Sequence, residues 1–113
     1  MPKVLAFARL LHEAGVPMMI GTDGGGGIMM DREMQLHREA GIPVWDVLRM
    51  ATSGAADIME MGDRIGRIEK GYEADLAVFD ADPVADVRAI GQVYAVIDNG
   101  VLRRSEELVT SAR

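Results

Sequence analysis

The sequence predicts an α/β chain: helices around one buried strand in its first half, mostly β structure beyond Gly62. Three observations predict this. Pro17-Met18-Met19-Ile20 is a compact apolar run bounded by Pro and Gly, the pattern of a core strand rather than a long helix. Apolar residues at helical spacing stand on both sides of it. Further on, Asp98-Asn99-Gly100 separates two apolar runs, and Asn-Gly accepts positive φ cheaply, as a hairpin turn requires.

Taken in order, residues 2–14 read as a helix. Pro2 suits its first turn, Val4, Ala8 and Leu11 share one face, and Gly15 supplies the stop. His12 lies beside Glu13 off that stripe and reads as a surface histidine. After the strand at 17–20 and a run of glycines, Asp31 is expected to cap a helix reaching Ala40, with Gly41 at its end. His37 follows Met30 and Met34 at helical spacing, so it reads as a core or boundary histidine rather than a metal ligand. Pro43 opens a helix with a Val44, Val47, Leu48, Ala51 stripe. Ser53-Gly54 is expected to break it, and a short helix then runs through Ala55, Ile58 and Met59 to Gly62. Trp45, the single tryptophan, either packs inside or faces a neighbouring subunit.

Beyond Gly62 the texture changes. Ile65–Gly71 reads as a short strand and turn. Ala74–Phe79 alternates Leu76 and Val78 against Asp75, Ala77 and Phe79, a half-buried strand. Val93–Ile97 and Val101–Arg103 flank the Asn-Gly turn, and Arg104–Arg113 reads as a frayed polar tail.

Composition removes several classes of function. With 113 residues the chain has the length of one modest domain. No apolar run approaches the ~20 residues that span a bilayer, and no charged-then-apolar leader pattern opens the chain. The absence of cysteine excludes disulfides and thiolate metal sites and agrees with a cytoplasmic location. A net charge of −6 with 4% aromatics argues against nucleic-acid binding. Nine methionines read mostly as core filler.

The stretch with chemical promise is Gly21-Thr22-Asp23 followed by Gly24–Gly27. In parallel α/β architectures, functional groups gather at the carboxyl ends of strands, where loops can be shaped without disturbing the core. Asp23 stands at that place, and four glycines allow a ligand close approach to the backbone. The competing reading is a turn opened by Asp23 with the glycines as connector. Other site types fail. No Lys-Ser or Lys-Thr follows the glycines, so a phosphate loop lacks its cation, and the Gly-x-Gly-x-x-Gly register falls on methionine. Ser occurs only at 53, 105 and 111, outside any nucleophile elbow.

Three stretches in order resemble the C-terminal part of the amidohydrolase superfamily, the metal-dependent hydrolases on a distorted (β/α)8 barrel. They are AGVPMMIGTDGG at 14–25, EAGIPVWDVLRMATSGAADIM at 39–59 and DRIGRIEKGYEADLAVFDADP at 63–83. Asp31-Arg32-Glu33-Met34 is most similar to the imidazolonepropionase- and prolidase-like branch. The resemblance implies the last βα portion of a TIM-like barrel with its following helices over 1–62, strands of a small β-sandwich over 63–104, and a flexible tail over 105–113. It implies that 18–21 is the eighth barrel strand and that Asp23 is a ligand to a divalent metal, usually zinc. The same carboxylate is the catalytic proton shuttle, with Gly24, Gly25, Gly26 and Gly27 bordering the substrate. The implied reaction is hydrolysis of an amide, cyclic amide or dipeptide C–N bond.

The family also builds its metal site from a His-x-His pair on the first strand, two later histidines and often a carboxylated lysine. His12 and His37 match none of these, and the sandwich lacks the N-terminal strands that normally complete it. The expectation is a C-terminal fragment, about the last quarter of a hydrolase, inactive alone and holding no metal by itself. Its partners would be a small amide-type substrate in the complete enzyme, the remaining barrel segments, or further copies of the chain. The alternative is a non-catalytic, self-associating interaction module, and a binder of small ligands through the glycine loop is a third reading.

Overall fold

The computed structural model describes residues 1–23 and 29–111, with side chains left out beyond residue 108. Four helices form the first half: α1 (Lys3–Glu13), α2 (Met30–Glu39), α3 (Val44–Met50) and α4 (Ser53–Ile58). The second half is a three-stranded antiparallel sheet in the order β1 (Leu76–Phe79), β2 (Val93–Asp98), β3 (Val101–Arg104), followed by α5 (Ser105–Ser111). A 3-10 helix, Val87–Gly91, joins β1 to β2 and packs on α2.

Local chemistry accounts for the helix ends. Asp31 and Glu33 lie in the first turn of α2 and His37 and Arg38 in its last, each sign matched to the helix dipole. Gly41 then takes φ +92°, the left-handed turn that releases the chain toward Pro43. Pro43 precedes α3 as expected. Asp31, however, does not cap α2: the cap position is Met29, with no side-chain bond to the helix. The break after α3 falls at Ala51-Thr52 rather than Ser53-Gly54. There the Thr52 hydroxyl donates to the Leu48 carbonyl at 2.8 Å, and α4 starts at Ser53 and ends at Ile58, short of Gly62.

The core is small. Ile20, Met34, Ile42, Val47, Met50 and Val87 form one buried cluster, with Met18, Met30, Val44, Leu48, Ala51 and Ile90 packed against it. Among the described residues, Met34, Ile42 and Val47 are the largest fully buried side chains. The filler role holds for Met34 and Met50, whereas Met1, Met19, Met29 and Met59 are exposed. Trp45 does not pack inside: it is 57% exposed on the outer side of α3.

Residues 17–20 are extended but join no ladder among the described residues, because no other strand runs beside them. Their place is set instead by Ile20, buried in the cluster, whose N–H donates to the Met50 carbonyl at 3.0 Å. Ile65–Gly71 is likewise not a strand. Its neighbourhood is pinned by local bonds, Ile65 N–H to Met61 carbonyl at 3.1 Å and Glu73 N–H to Arg64 carbonyl at 2.8 Å, which curl the chain.

The hairpin is as the Asn-Gly pair predicts: Asn99 and Gly100 take φ +48° and +81°. Asp75 anchors it from β1's side by accepting from the Asn99 N–H at 2.7 Å. The expected alternation in β1 is interrupted. Val78 pairs with Ala95 and Phe79 with Val93, so Tyr94 is an extra residue on β2, and this bulge leaves Val78 exposed while Phe79 is half-buried. Residues 105–111 form a helix against the hairpin rather than a frayed tail.

The accessible surface is 7,923 Å², against about 6,100 Å² for a self-contained monomer of this mass. The radius of gyration, 14.9 Å, also exceeds the roughly 13 Å typical of this length. The chain therefore exposes surface that a closed domain would bury.

Two stability predictions follow from the packing. Ile42→Ala is expected to cost about 2–4 kcal/mol in denaturant unfolding, as for other buried Ile truncations. Gly66 has φ +88°, and an added Cβ would stand 2.8 Å from the Ala56 Cβ and 3.0 Å from the Thr52 carbonyl. Gly66→Ala should therefore cost about 2–5 kcal/mol through backbone strain and overpacking, whereas Gly71→Ala, with open space around it, should lose only the backbone part.

Candidate functional site

Asp23 ends the extended segment. Two backbone bonds hold that segment between the helices, Val16 N–H to Leu11 carbonyl and Ile20 N–H to Met50 carbonyl, both 3.0 Å. Asp23 itself is exposed and takes φ +45°, a left-handed conformation that Asp tolerates better than most residues. Glu60 and Asn99 share that conformation at other turns, so at Asp23 it marks a turn at the end of the segment. Gly24–Gly27, the expected substrate-bordering loop, lie outside the described residues.

The two histidines are used elsewhere. His12 is half-buried rather than free on the surface: its Nε2 lies 3.1 Å from Asp46 Oδ2, tying α1 to α3. Asp46 Oδ1 also accepts from Arg49 at 2.9 Å. His37 sits at the boundary, as its spacing suggests, with Nδ1 2.9 Å from the Glu33 carbonyl oxygen. Among the described residues, no three His, Asp or Glu side chains converge in a way that could hold a metal ion. Asp23 offers one oxygen donor, while Zn²⁺ takes about four ligands. The described residues thus do not fit a resident metal without donors from outside them.

A cavity of about 800 Å³ lies elsewhere, along the seam between the helices and β1. Met34, Leu48, Ile68, Leu76 and Phe79 line it, and Asp23 does not. Among the described residues that line it, the one cation, Arg67, is already engaged. The guanidinium reaches Asp57 through two bonds, at 2.8 and 3.1 Å, and the Gly62 carbonyl at 2.9 Å, where Tyr72 Oη also donates at 2.8 Å. This lock fastens the 62–72 turn to α4. Nothing in the sequence pattern signals it, since its members occupy different local structures. The cavity and the carboxylate are separate features.

The model of the amidohydrolase family matches residues 2–103. A 5-methylthioadenosine/S-adenosylhomocysteine deaminase of Syntrophobacter fumaroxidans is 40% identical over 82 residues, covering 62% of this chain and 19% of that protein. An imidazolonepropionase of Caldanaerobacter subterraneus is 35% identical over 81 residues, covering 67% of this chain and 20% of the relative. A solved Xaa-Pro dipeptidase with methionine bound in its active site superposes with a TM-score of 0.84 at 30% identity, over 92% of this chain and 26% of the dipeptidase. The chain belongs to the amidohydrolase family, whose fold is the TIM barrel and whose members generally depend on metal. It spans about a fifth to a quarter of the length of these relatives.

The Asp57–Arg67 lock makes a pH prediction. Hydrogen bonding from Arg67 holds the Asp57 carboxyl below its ordinary value of 3.8. A lowered folded-state pKa stabilises above the unfolded value and stops doing so as pH falls through the folded one. The stability difference between wild type and Asp57→Asn should thus be constant from neutral pH to about pH 4 and shrink below it, measured by urea unfolding across pH.

Proposed function

We propose that these residues form the C-terminal segment of a metal-dependent amidohydrolase acting on a carbon–nitrogen bond, with Asp23 as its one active-site carboxylate. In this reading the extended segment 18–21 is the eighth barrel strand, and residues 63–104 contribute strands to a small β-sandwich. The observation that supports the assignment is Asp23's position: exposed, in a left-handed turn, and at the end of the apolar segment whose Ile20 is buried in the core. A carboxylate there would supply one oxygen ligand to a divalent metal, zinc by the family resemblance, with histidines from outside this segment completing the site. It also suits general acid–base work, accepting a proton from the attacking water and returning it to the leaving nitrogen. Gly24–Gly27 border the substrate in this reading.

The substrate class follows the relatives only as far as an amide, cyclic amide or dipeptide bond. The imidazolonepropionase and Xaa-Pro dipeptidase likenesses support that class, and the side chains that choose among its members belong to the remaining barrel loops. A single donor cannot retain Zn²⁺, so catalysis by the 113 residues alone is not expected.

Two measurements test this. Metal analysis of the isolated chain, with a Xaa-Pro dipeptide assay, should find no stoichiometric metal and no turnover; turnover by the chain alone would overturn the reading. Grafting residues 2–103 in place of the matching segment of the Xaa-Pro dipeptidase should give a soluble, active chimera. In that chimera Asp23→Asn should lower kcat by about 10²–10⁴-fold, the range expected for a positioned proton-transfer group. Unchanged kcat in a folded Asp23→Asn chimera would remove Asp23 from the site.

A further inference from the structure

Asn99 is the only asparagine in the chain, and a glycine follows it. That pair carries a reaction of its own. The backbone nitrogen of the residue after an asparagine can attack the asparagine Cγ, and glycine, having no side chain, leaves the approach open. Asparagine counts among the thermolabile residues. Here it is exposed at the tip of the β2–β3 hairpin.

The fold restrains this pair from 24 positions away in the chain. The Asn99 N–H donates to Asp75 Oδ1 at 2.7 Å, and the Gly100 N–H donates to the Ala74 carbonyl at 3.0 Å. Both amides of the turn are therefore held by the two residues that lead into β1. The bond to Ala74 bears directly on the chemistry. The Gly100 nitrogen becomes a nucleophile only on losing its proton, and that proton lies in the hydrogen bond.

We infer that Asn99 is a modification site, deamidated by its own backbone, and that the Ala74–Asp75 clamp keeps it unreacted while the hairpin is formed. The step balances without a redox partner. The Gly100 nitrogen gives its proton to solvent and bonds to Asn99 Cγ. The Cγ–Nδ2 bond breaks, and ammonia leaves with a proton taken from water. Water then opens the cyclic imide on one side or the other, giving aspartate or isoaspartate. Isoaspartate lengthens the backbone by one carbon between Asp98 and Val101, the pair that closes the hairpin, so the native register cannot re-form unchanged. Either product also places a new negative charge near Asp75 and Asp98. The reaction thus records, irreversibly, that the hairpin has opened. Every group involved lies within residues 74–101, so the inference is independent of the role given to Asp23 and of polypeptide outside this chain.

Mass spectrometry of the 113-residue chain, kept either folded or in concentrated urea at one pH, follows the reaction, with amide hydrogen exchange measured by NMR on the folded samples. The unfolded chain should convert Asn99, and the folded chain should do so about 10²-fold more slowly, the protection expected of two bonds of which one has a charged acceptor. That slowing should match the exchange protection of the Gly100 amide, because both events need the same local opening. Asp75→Ala should speed both by roughly tenfold, while the Ile20 amide, bonded to the Met50 carbonyl in the core, keeps its protection. Asp75→Asn, which retains a neutral acceptor, should fall between the two. Equal rates in folded and unfolded wild type would overturn the inference, as would an unfolded chain that leaves Asn99 intact. An unchanged rate in folded Asp75→Ala would remove the clamp. So would a faster rate accompanied by an equal loss of protection at Ile20, since global unfolding would then be the gate.

Discussion

The structure depends on how one extended segment is gripped by a small helical core. Met34, Ile42 and Val47 are its fully buried large side chains, and Ile20 inserts among them. Two backbone bonds fix the segment, Val16 N–H to the Leu11 carbonyl at its start and Ile20 N–H to the Met50 carbonyl further along. An extended segment without a neighbouring strand leaves most of its backbone groups to other partners. Burial of Ile20 is therefore what holds it against α3, and what brings Asp23 to the edge of the core.

The second half is attached to this core by two devices of different kinds. The 3-10 helix at 87–91 inserts Val87 into the helical cluster, an apolar link. The Arg67 guanidinium binds Asp57 and the Gly62 carbonyl, a polar link that pins the 62–72 turn to α4. Between them the seam stays open, and the 800 Å³ cavity beside β1 is its result. No polar or charged residue is fully buried among the described residues. The buried core is therefore wholly apolar, and the charged side chains stay in contact with solvent.

Family membership and site chemistry are separate conclusions here. Membership rests on a match over residues 2–103 and on a superposition that includes most of the chain. Chemistry requires donors brought together in space, and a fold by itself does not provide them. The described residues bring forward one carboxylate, while both histidines are committed to Asp46 and to the Glu33 carbonyl. A likeness in sequence can therefore run over most of the chain without the donors of a metal centre standing together among the described residues.

Local signals were legible from the residues themselves. Pro and Gly punctuation bounds α1, α2 and α3, and Asn99-Gly100 specifies the hairpin because its positive φ values are intrinsic to those two residues. The family-like stretches at 14–25, 39–59 and 63–83 were equally visible, as was the place of Asp23 at the end of an apolar run. Contacts between distant residues were not. The His12–Asp46 pair spans 34 positions, and the exposure of Trp45 depends on which face of α3 meets the core. Whether 17–20 and 65–71 become strands depends on neighbours that an apolar pattern alone does not reveal, and the bulge at Tyr94 arises only when β1 and β2 are paired. The sequence by itself determined the Asn-Gly hairpin turn, the helices α1 to α3 and the family resemblance, because these rest on single-residue conformational preferences and short-range order. Only the tertiary structure decided which polar groups meet and which apolar faces stay uncovered, because those outcomes are set by packing between segments far apart in the chain.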